Sequence, residues 1–300
     1  MIYVKKEKGK FPFSRGILAR ALAPTGIPIE RIYEMIGEIR DELRSSGFEV
    51  IDSKNLRKRV REKLHAYGYG RLEKYYLASR QVAKLEKPVI ILIGGASGVG
   101  KSAVSAEIGR RYGIERFIGT DLIREIMRYM MPKEINPILH ESTFNADSST
   151  VNPSIEDEVI YSFYEQSRIV CKGVDAYIRR IIKEGLKTVI NGVHLIPGLL
   201  GSAVENAGSI HLYHYVLHIE DEEEHKHRFH LRAEGTRRDP NRYIGNIDKI
   251  RRIQDYYTEA AEKEGVKTVE NSDFENTVET IFKDITQRLG EEIINKKEGS

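Results

Sequence analysis

The sequence has little cysteine, no tryptophan and no long apolar segment. Its 300 residues include one cysteine, Cys171, which excludes an intramolecular disulfide framework and fits a reducing cytoplasm. No stretch approaches 18 consecutive apolar residues, and the opening MIYVKKEKGK lacks the apolar core of a secretory signal, so we expect neither a membrane span nor export. The net charge of +3 is too small to indicate a nucleic-acid partner. These absences favour a cytoplasmic globular protein, and 31% charged residues suit a thermophile.

A glycine-rich loop follows directly on an apolar run. Val89–Ile93 has the composition of a buried strand, and Gly95–Ser102 matches G-x-x-x-x-G-K-[ST], the phosphate-binding loop of nucleoside triphosphatases. Such a loop turns backbone N–H groups toward phosphate oxygens, while Lys101 adds a cation and the Ser102 hydroxyl binds Mg²⁺. We therefore expect ATP and Mg²⁺ as cofactors. The residues expected to contact the nucleotide are Gly95, Ala96, Ser97, Gly98, Val99, Gly100, Lys101, Ser102 and Ala103.

Missing motifs narrow the class of phosphate-binding-loop protein. The one Asn-Lys pair, Asn295-Lys296, lies in the polar end of the chain, so the guanine-specifying loop of GTPases is absent. No apolar strand ends in Asp-Glu, and no Leu-Ser-Gly-Gly run marks a transporter ATPase. The pattern is typical of a small-molecule kinase with an α/β fold, in which a mostly parallel sheet is flanked by helices.

An acidic residue ends the next short strand, Phe117–Gly119. Asp121 would face the crevice at the carboxyl edge of the sheet, where it could orient an acceptor hydroxyl and take its proton. It could also serve as the N-cap of a helix over Leu122–Met131, and both roles are compatible. Arg124 and Arg128 share a face of that helix and would bind a phosphate or carboxylate on the acceptor, unless they are ordinary surface arginines.

Five arginines cluster late in the chain, after a capping box at Asp221–Glu224. Because Gly235 and Asp239-Pro240 interrupt them, we expect a mobile lid that neutralises charge on the transferred phosphate, with a solvated charge run as the alternative. The five are Arg228, Arg232, Arg237, Arg238 and Arg242, of which the first four are predicted to be catalytic together with Lys101 and Asp121.

The sequence pattern in the middle of the chain indicates core packing more than catalytic residues. Ser154–Glu184 is expected to be one long helix, capped by Ser154 and burying an inert Cys171. Thr188–His194 is expected to be the central strand. Asn191 stands where an acid would usually order magnesium, so the metal would rest mainly on Ser102. Asn191 and His194 either contact the acceptor or satisfy local backbone groups, the second being favoured for His194.

The first 86 residues resemble the ATP-cone, a regulatory nucleotide-binding domain. The resemblance rests on Val4–Lys6, Gly9, Pro12–Arg15 and Tyr75–Arg80, although Glu7-Lys8-Gly9 replaces the usual Arg-Asp-Gly. A helical cap without a ligand is the alternative. The basic run between residues 54 and 63 is interpreted as a solvated helix face. A charged segment ending at Pro88 predicts two domains, 1–86 and 87–300.

The whole chain resembles the archaeal 2-phosphoglycerate kinase family. The matching blocks are GGASGVGKS at 94–102, IGTDLIREIMR at 118–128, NGVHLIPG at 191–198 and HRFHLRAEGTRRDPNRYIGNIDKIRRIQDYY at 227–257. The resemblance implies transfer of the ATP γ-phosphate to the 3-hydroxyl of 2-phosphoglycerate, giving 2,3-bisphosphoglycerate on the way to its cyclic form. It implies a small anionic partner and neither nucleic acid nor membrane. A kinase for another phosphorylated small molecule and an ATP-sensing, nucleic-acid-binding regulator remain the alternatives.

Overall fold

Two groups of residues form separate units in the structure, a computed structural model that describes residues 2–6, 9–144, 157–201, 207–234, 237 and 239–298. The first unit comprises Met1–Leu85 with Arg110–Ile114, and the second Glu86–Gly109 with Glu115–Ser300. Within the described ranges, no helix combines the length and the apolar character that crossing a bilayer requires.

The described residues of the first unit form a three-stranded sheet and four α-helices. Its strands have the order β2-β1-β3, with β1 antiparallel to β2 and parallel to β3. Helix α2 buries a stripe of Ile32, Ile36, Ile39 and Leu43, while Ile29 is exposed at its first turn. The elements are β1 (Tyr3–Lys6), β2 (Gly9–Pro12), α1 (Arg15–Leu22), α2 (Ile29–Ser45), β3 (Val50–Asp52), α3 (Ser53–Ala66) and α4 (Glu73–Lys84).

Helix α3 carries the basic run, and several of its cations have acidic partners in the same unit. Lys63 Nζ lies 2.6 Å from carboxylate oxygens of both Glu38 and Glu42, and Arg61 pairs with Glu73. Ion pairs of this kind compensate positive charge that a phosphate backbone would otherwise attract. The pairing accords with a solvated helix face.

A five-stranded, all-parallel sheet forms the centre of the second unit. The strand order is β5-β6-β4-β7-β8, so the connections leave β4 toward both sides, the topology that opens a crevice at the carboxyl edge. The elements are β4 (Val89–Gly94), α5 (Lys101–Tyr112), β5 (Phe117–Gly119), α6 (Thr120–Met130), α7 (Pro137–His140), α8 (Glu158–Glu184), β6 (Lys187–Asn191), β7 (His211–His218), α9 (Glu222–Glu234), α10 (Pro240–Ile244), α11 (Ile247–Lys263), β8 (Lys267–Glu270) and α12 (Phe274–Glu298).

The structure corrects several expected element positions. The central strand is β4, every residue of which is buried, and β6 lies beside it and ends at Asn191. Helix α8 begins at Glu158 and its N-cap is Asp157, which accepts a hydrogen bond from Ile160 N at 3.1 Å. Ser154, the expected cap, lies outside the described residues. The caps differ because a carboxylate and a hydroxyl are almost equally good N-caps, and periodicity locates a helix start only approximately.

Candidate active site

The phosphate-binding loop passes from β4 into α5 through glycines that have close neighbours. Gly98 has a φ of 88°, and a Cβ there would lie 2.6 Å from Phe229 Cζ. Gly100 has a φ of 84°, and a Cβ there would lie 3.3 Å from Arg228 Nη1. Since any larger residue would meet both backbone strain and atoms of α9, these two positions require glycine.

Lys101 is the first residue of α5 and folds back over the loop. Its Nζ donates a hydrogen bond to the carbonyl oxygen of Ala96 at 2.5 Å. Burial lowers the pKa of the amine to about 8, and the carboxylate of Asp121 opposes that shift. The two predicted catalytic residues are therefore close enough to influence each other electrostatically.

A cavity of about 970 Å³ opens along the carboxyl edge of the sheet. Its walls come from the loop, α6, the segment around α7, the end of β6 and helices α9 and α10. The predicted residues that line it are Ser97, Gly98, Gly100, Lys101, Ser102, Ala103, Asp121, Arg124, Arg128, Arg228 and Arg232, together with Arg242. Gly95, Ala96 and Val99 belong to the same loop but do not line the cavity.

Two of the predicted lid arginines lack a described place in this cavity. Arg237 is exposed and is not among the lining residues. Arg238 lies outside the described residues, as does the expected hinge Gly235. The mobility of the lid stays a prediction.

Asp121 lies in the first turn of α6, directly above the end of β5. Helix α6 begins at Thr120 with Gly119 as its N-cap, so Asp121 is not the cap itself. The expected helix start was too late because β5 ends at Gly119 and the chain turns into the helix without an intervening residue. This tight junction places Asp121 in the wall of the cavity that residues of the phosphate-binding loop also line.

Three arginines gather at the α6–α7 end of the cavity. Arg124 Nε donates to Leu139 O at 3.2 Å, Arg242 bonds the Ser142 hydroxyl, and Arg128 pairs with Glu125 at 2.9 Å. Burial lowers the pKa of Arg124, and the neighbouring charges of Arg128 and Arg242 contribute to the lowering. Like charges held this close favour an anionic ligand, because each cation raises the local positive potential.

Helix α9 begins as the capping pattern predicts. The amide of Glu224 donates to Asp221 Oδ1 at 2.6 Å, which confirms the cap. Arg228 then extends along the helix, with Nε 2.9 Å from Glu224 Oε1 and Nη2 on the carbonyl of Asn271. Arg232 projects over the ring of Tyr243, 6.0 Å from its centroid. These contacts hold both guanidinium groups at the cavity.

An aromatic stack connects α9 to the rest of the cavity. The sequence analysis did not predict it. Phe229 stacks on His225 at 5.5 Å and on Tyr243 at 5.0 Å, and Tyr243 contacts Phe144 at 5.6 Å. His225 Nε2 lies 2.7 Å from the carbonyl oxygen of Ser97. The signal available in the sequence was the spacing of His225 and Phe229, four residues apart on one helix face.

His194 has side-chain partners, and the expectation of local backbone partners was wrong. Its Nδ1 lies 2.8 Å from Thr120 Oγ1 and its Nε2 lies 3.1 Å from Gln166 Oε1. Burial lowers its pKa to about 3, with Asp121 opposing the shift. The segment after β6 folds inward against α6 and α8, which sequence-local reasoning does not reveal. Gln166 carried a faint signal, since it interrupts the apolar stripe of α8 three residues after Phe163.

The oxygen donors of the cavity suit a magnesium ion. The Ser102 hydroxyl, the Asp121 carboxylate and the Asn191 amide all line it, and Mg²⁺ prefers oxygen ligands with several waters retained. By contrast, no cluster of three or more His, Cys, Asp or Glu side chains that could hold a metal ion by itself occurs in the described part of the chain. Six histidines lie between residues 211 and 230, and one of them, His214, uses its Nε2 in a hydrogen bond of 3.2 Å with the backbone oxygen of Leu195.

Comparison with known proteins shows extensive similarity. The chain is 38% identical to the 2-phosphoglycerate kinase of Methanopyrus kandleri over 98% of its length and 90% of that protein. It is 37% identical to the 2-phosphoglycerate kinase of Pyrococcus furiosus over 100% of its length and 97% of that protein. A solved gluconokinase from Sinorhizobium meliloti 1021 has 14% identity and a TM-score of 0.41 over 71% of this chain and 99% of that chain, a likeness too low to assign a substrate or a site. No protein-family model matches the chain.

Proposed function

The chain belongs to the 2-phosphoglycerate kinase family, and we propose that it transfers the γ-phosphate of ATP to the 3-hydroxyl of 2-phosphoglycerate. The observation that carries the proposal is the grouping of Arg124, Arg128 and Arg242 in the same cavity as Lys101 and Asp121. An acceptor with both a phosphate and a carboxylate matches three guanidinium groups better than a neutral sugar does.

In the proposed reaction, the acceptor oxygen forms a bond to the γ-phosphorus as the bond from that phosphorus to the bridging oxygen of ADP breaks. Asp121 accepts the proton that the hydroxyl loses. Loop N–H groups and Lys101 hold the phosphates, and the arginines of α9 neutralise charge on the oxygens of the transferred group. The reaction takes place in the cytoplasm, where ATP is available.

Magnesium belongs to the same proposal. Ser102 would hold Mg²⁺ together with phosphate oxygens and water, and Asn191 would take a secondary place because an amide oxygen is a weaker ligand than a carboxylate. When bound, the ion neutralises negative charge on the phosphates. Ser102→Ala is then expected to weaken Mg²⁺-dependent ATP binding while leaving the fold intact.

The acceptor is tested by measuring ADP release from Mg·ATP with and without 2-phosphoglycerate, using Lys101→Ala as the blank. Glycerol 2-phosphate lacks the carboxylate, and 3-phosphoglycerate carries its phosphate on the oxygen that should react, so both are matched controls. We expect strong stimulation by 2-phosphoglycerate alone and a bisphosphorylated product by ³¹P NMR. Equal stimulation by a neutral sugar, or none by 2-phosphoglycerate, contradicts the proposal.

We propose further that residues 1–86 form an ATP-cone-like regulatory domain and residues 87–300 the kinase domain. The first unit has a cavity of about 90 Å³ lined by the cations Lys6, Arg57 and Arg80 and by aromatic residues that include Phe11 and Tyr76. Cations beside aromatic rings suit the phosphates and base of a nucleotide.

Equilibrium binding of ATP to Lys101→Ala, in which the loop is disabled, tests this regulatory site. A remaining site that Arg57→Gln and Arg80→Gln remove supports the proposal. The absence of any remaining site contradicts it and favours a helical cap.

A further inference from the structure

Three buried polar side chains beside the cavity are linked in series by hydrogen bonds. Thr120, His194 and Gln166 are each 0% exposed and come from α6, the segment after β6, and α8. Oxygen Oγ1 of Thr120 lies 2.8 Å from His194 Nδ1, and His194 Nε2 lies 3.1 Å from Gln166 Oε1. At the far end, Gln166 Nε2 donates to Ile138 O at 2.6 Å and to Glu141 O at 3.1 Å.

The partners fix the direction of every hydrogen bond in this series. Two carbonyl oxygens need donors, so the amide nitrogen of Gln166 faces them and its oxygen faces His194. Nitrogen Nε2 of His194 must then carry the hydrogen. Because burial keeps the imidazole neutral, Nδ1 is an acceptor and the hydroxyl of Thr120 donates to it. All four bonds point the same way, from α6 toward α7.

The two ends of this hydrogen-bonded series hold the two parts of the cavity that we expect the acceptor to contact. Thr120 immediately precedes Asp121 in the first turn of α6. The carbonyls of Ile138 and Glu141 belong to the segment Pro137–Phe144, whose residues from His140 to Phe144 line the cavity and whose Ser142 bonds Arg242. The middle member is itself held in place, since Cys171 Sγ donates to His194 O at 3.1 Å.

We propose that Gln166 and His194 are positioning residues for phosphoryl transfer, which fix the acceptor-binding segment Pro137–Phe144 relative to Asp121 through the hydroxyl of Thr120. The inference rests on the proposed function and extends it to Gln166 and His194, which do not line the cavity, whereas Thr120 does. A direct role for the neutral, buried imidazole as a base is unnecessary, since Asp121 is the group at the cavity wall. These hydrogen bonds affect the rate by keeping the reacting groups in position. An error of about 1 Å in that placement costs roughly 100-fold in rate.

Two substitutions at Thr120 test the role of its hydroxyl in positioning, with little change in side-chain volume. Thr120→Val removes the donor to His194 and keeps the branched shape, whereas Thr120→Ser keeps the donor. We expect Thr120→Val to lower kcat by about 10- to 100-fold and to raise the KM for the acceptor, with the KM for ATP changed less than about twofold. Thr120→Ser should restore most of kcat.

Gln166→Met tests the other end, and a variant on the same helix serves as its control. Methionine fills a similar volume but leaves both carbonyls and His194 Nε2 without partners, so we expect the same pattern of kcat and KM as for Thr120→Val. Tyr177→Phe also removes a side-chain bond from α8, the one of 3.2 Å to Thr188 Oγ1, and should keep kcat and both KM values within about twofold. Wild-type kcat and KM values in Thr120→Val, or in folded Gln166→Met, overturn the proposal.

Nitrogen-15 NMR of the histidines gives a readout that does not depend on turnover. The His194 signal, identified as the one missing in His194→Gln, should show the Nε2–H tautomer and no titration between pH 5 and pH 8. Gln166→Met should remove that preference. An Nδ1–H tautomer in the wild type overturns the proposed series of hydrogen bonds even if 2-phosphoglycerate proves to be the acceptor. Failure of wild-type turnover with 2-phosphoglycerate overturns the proposed function and leaves the tautomer result standing.

Discussion

Lys101 Nζ lies 2.5 Å from the carbonyl oxygen of Ala96, five residues earlier in the same loop. The amine is therefore occupied by a neutral acceptor. An anionic oxygen is a stronger acceptor than a carbonyl, so the lysine should exchange this bond for one to a phosphate when ATP binds.

The buried amine should make stability depend on pH. The folded pKa of about 8 lies below the unfolded value of 10.5, so the unfolded state binds more protons between these values and stability rises with pH in that window. Urea denaturation at pH 7.5, 9 and 10.5 measures this dependence. Between pH 7.5 and pH 10.5, the free energy of unfolding of the wild type should rise by about 2–3 kcal/mol relative to that of Lys101→Met. A constant difference across this range would show that the pKa is normal.

The same Lys101→Met variant should lose catalysis. Without the cation at the phosphates, kcat is expected to fall by about 10²- to 10³-fold, as for the loss of one preorganised donor to developing charge. Steady-state kinetics at saturating Mg·ATP and acceptor would measure the loss. Near-normal turnover would contradict the role of the lysine.

Asp121→Asn should reduce kcat by about 10²- to 10⁴-fold with the affinity for ATP unchanged, because the amide cannot accept the proton of the hydroxyl. Asp248→Asn is a matched control, since Asp248 is also an exposed second residue of a helix, α11, but lies outside the cavity lining. Pre-steady-state ADP formation and ATP titrations check both variants. Equal effects of the two substitutions would indicate a helix-terminus effect alone.

Arg242→Met should raise the KM for the acceptor by about 10- to 100-fold, the loss expected for a hydrogen bond to a charged group, while the KM for ATP stays constant. Arg180→Met, which removes an exposed pair with Glu184 on α8, should leave both values unchanged. Kinetics at low and high ionic strength add a second check, because salt weakens the wild-type contact and should narrow the difference. A rise confined to the KM for ATP would assign Arg242 to the nucleotide.

Cys171 should be inert in the folded protein. The side chain is 4% exposed, and burial raises its pKa to about 12, so almost no thiolate is present at pH 8. A thiol reagent should label the protein in urea but not in buffer, with labelling counted by mass spectrometry. Rapid labelling of the native protein would mean that α8 opens readily.

Chemistry and local pattern were enough to predict many residues of the candidate site that line one cavity. The spacing of glycines with Lys101 and Ser102 specified the phosphate-binding loop, because backbone approach to a phosphate requires those residue types in that order. Asp121 and Arg124 were predicted to face the carboxyl edge because they follow a short strand closely and parallel strands end at one edge, and both line the cavity. The capping pattern at Asp221 gave the start of α9.

Contacts between distant segments were decided by the tertiary structure. Thr120, Gln166 and His194 are separated by dozens of residues, and nothing in their local patterns predicts that they are joined by hydrogen bonds. The position of β4 at the centre of the sheet likewise depended on which strands pair, a choice made by the packing of whole elements.

The sequence by itself determined the nucleotide-binding loop, the class of fold and which acidic and basic residues are candidates for phosphate transfer, because these depend on residue type and short-range spacing. The tertiary structure decided which residues share the cavity, as with Arg242 and Ser142, which are 100 positions apart in sequence. It also decided the direction of the buried hydrogen bonds from Thr120 to the segment beside α7. Such relationships arise only when separate elements pack and every buried polar group has to find a partner.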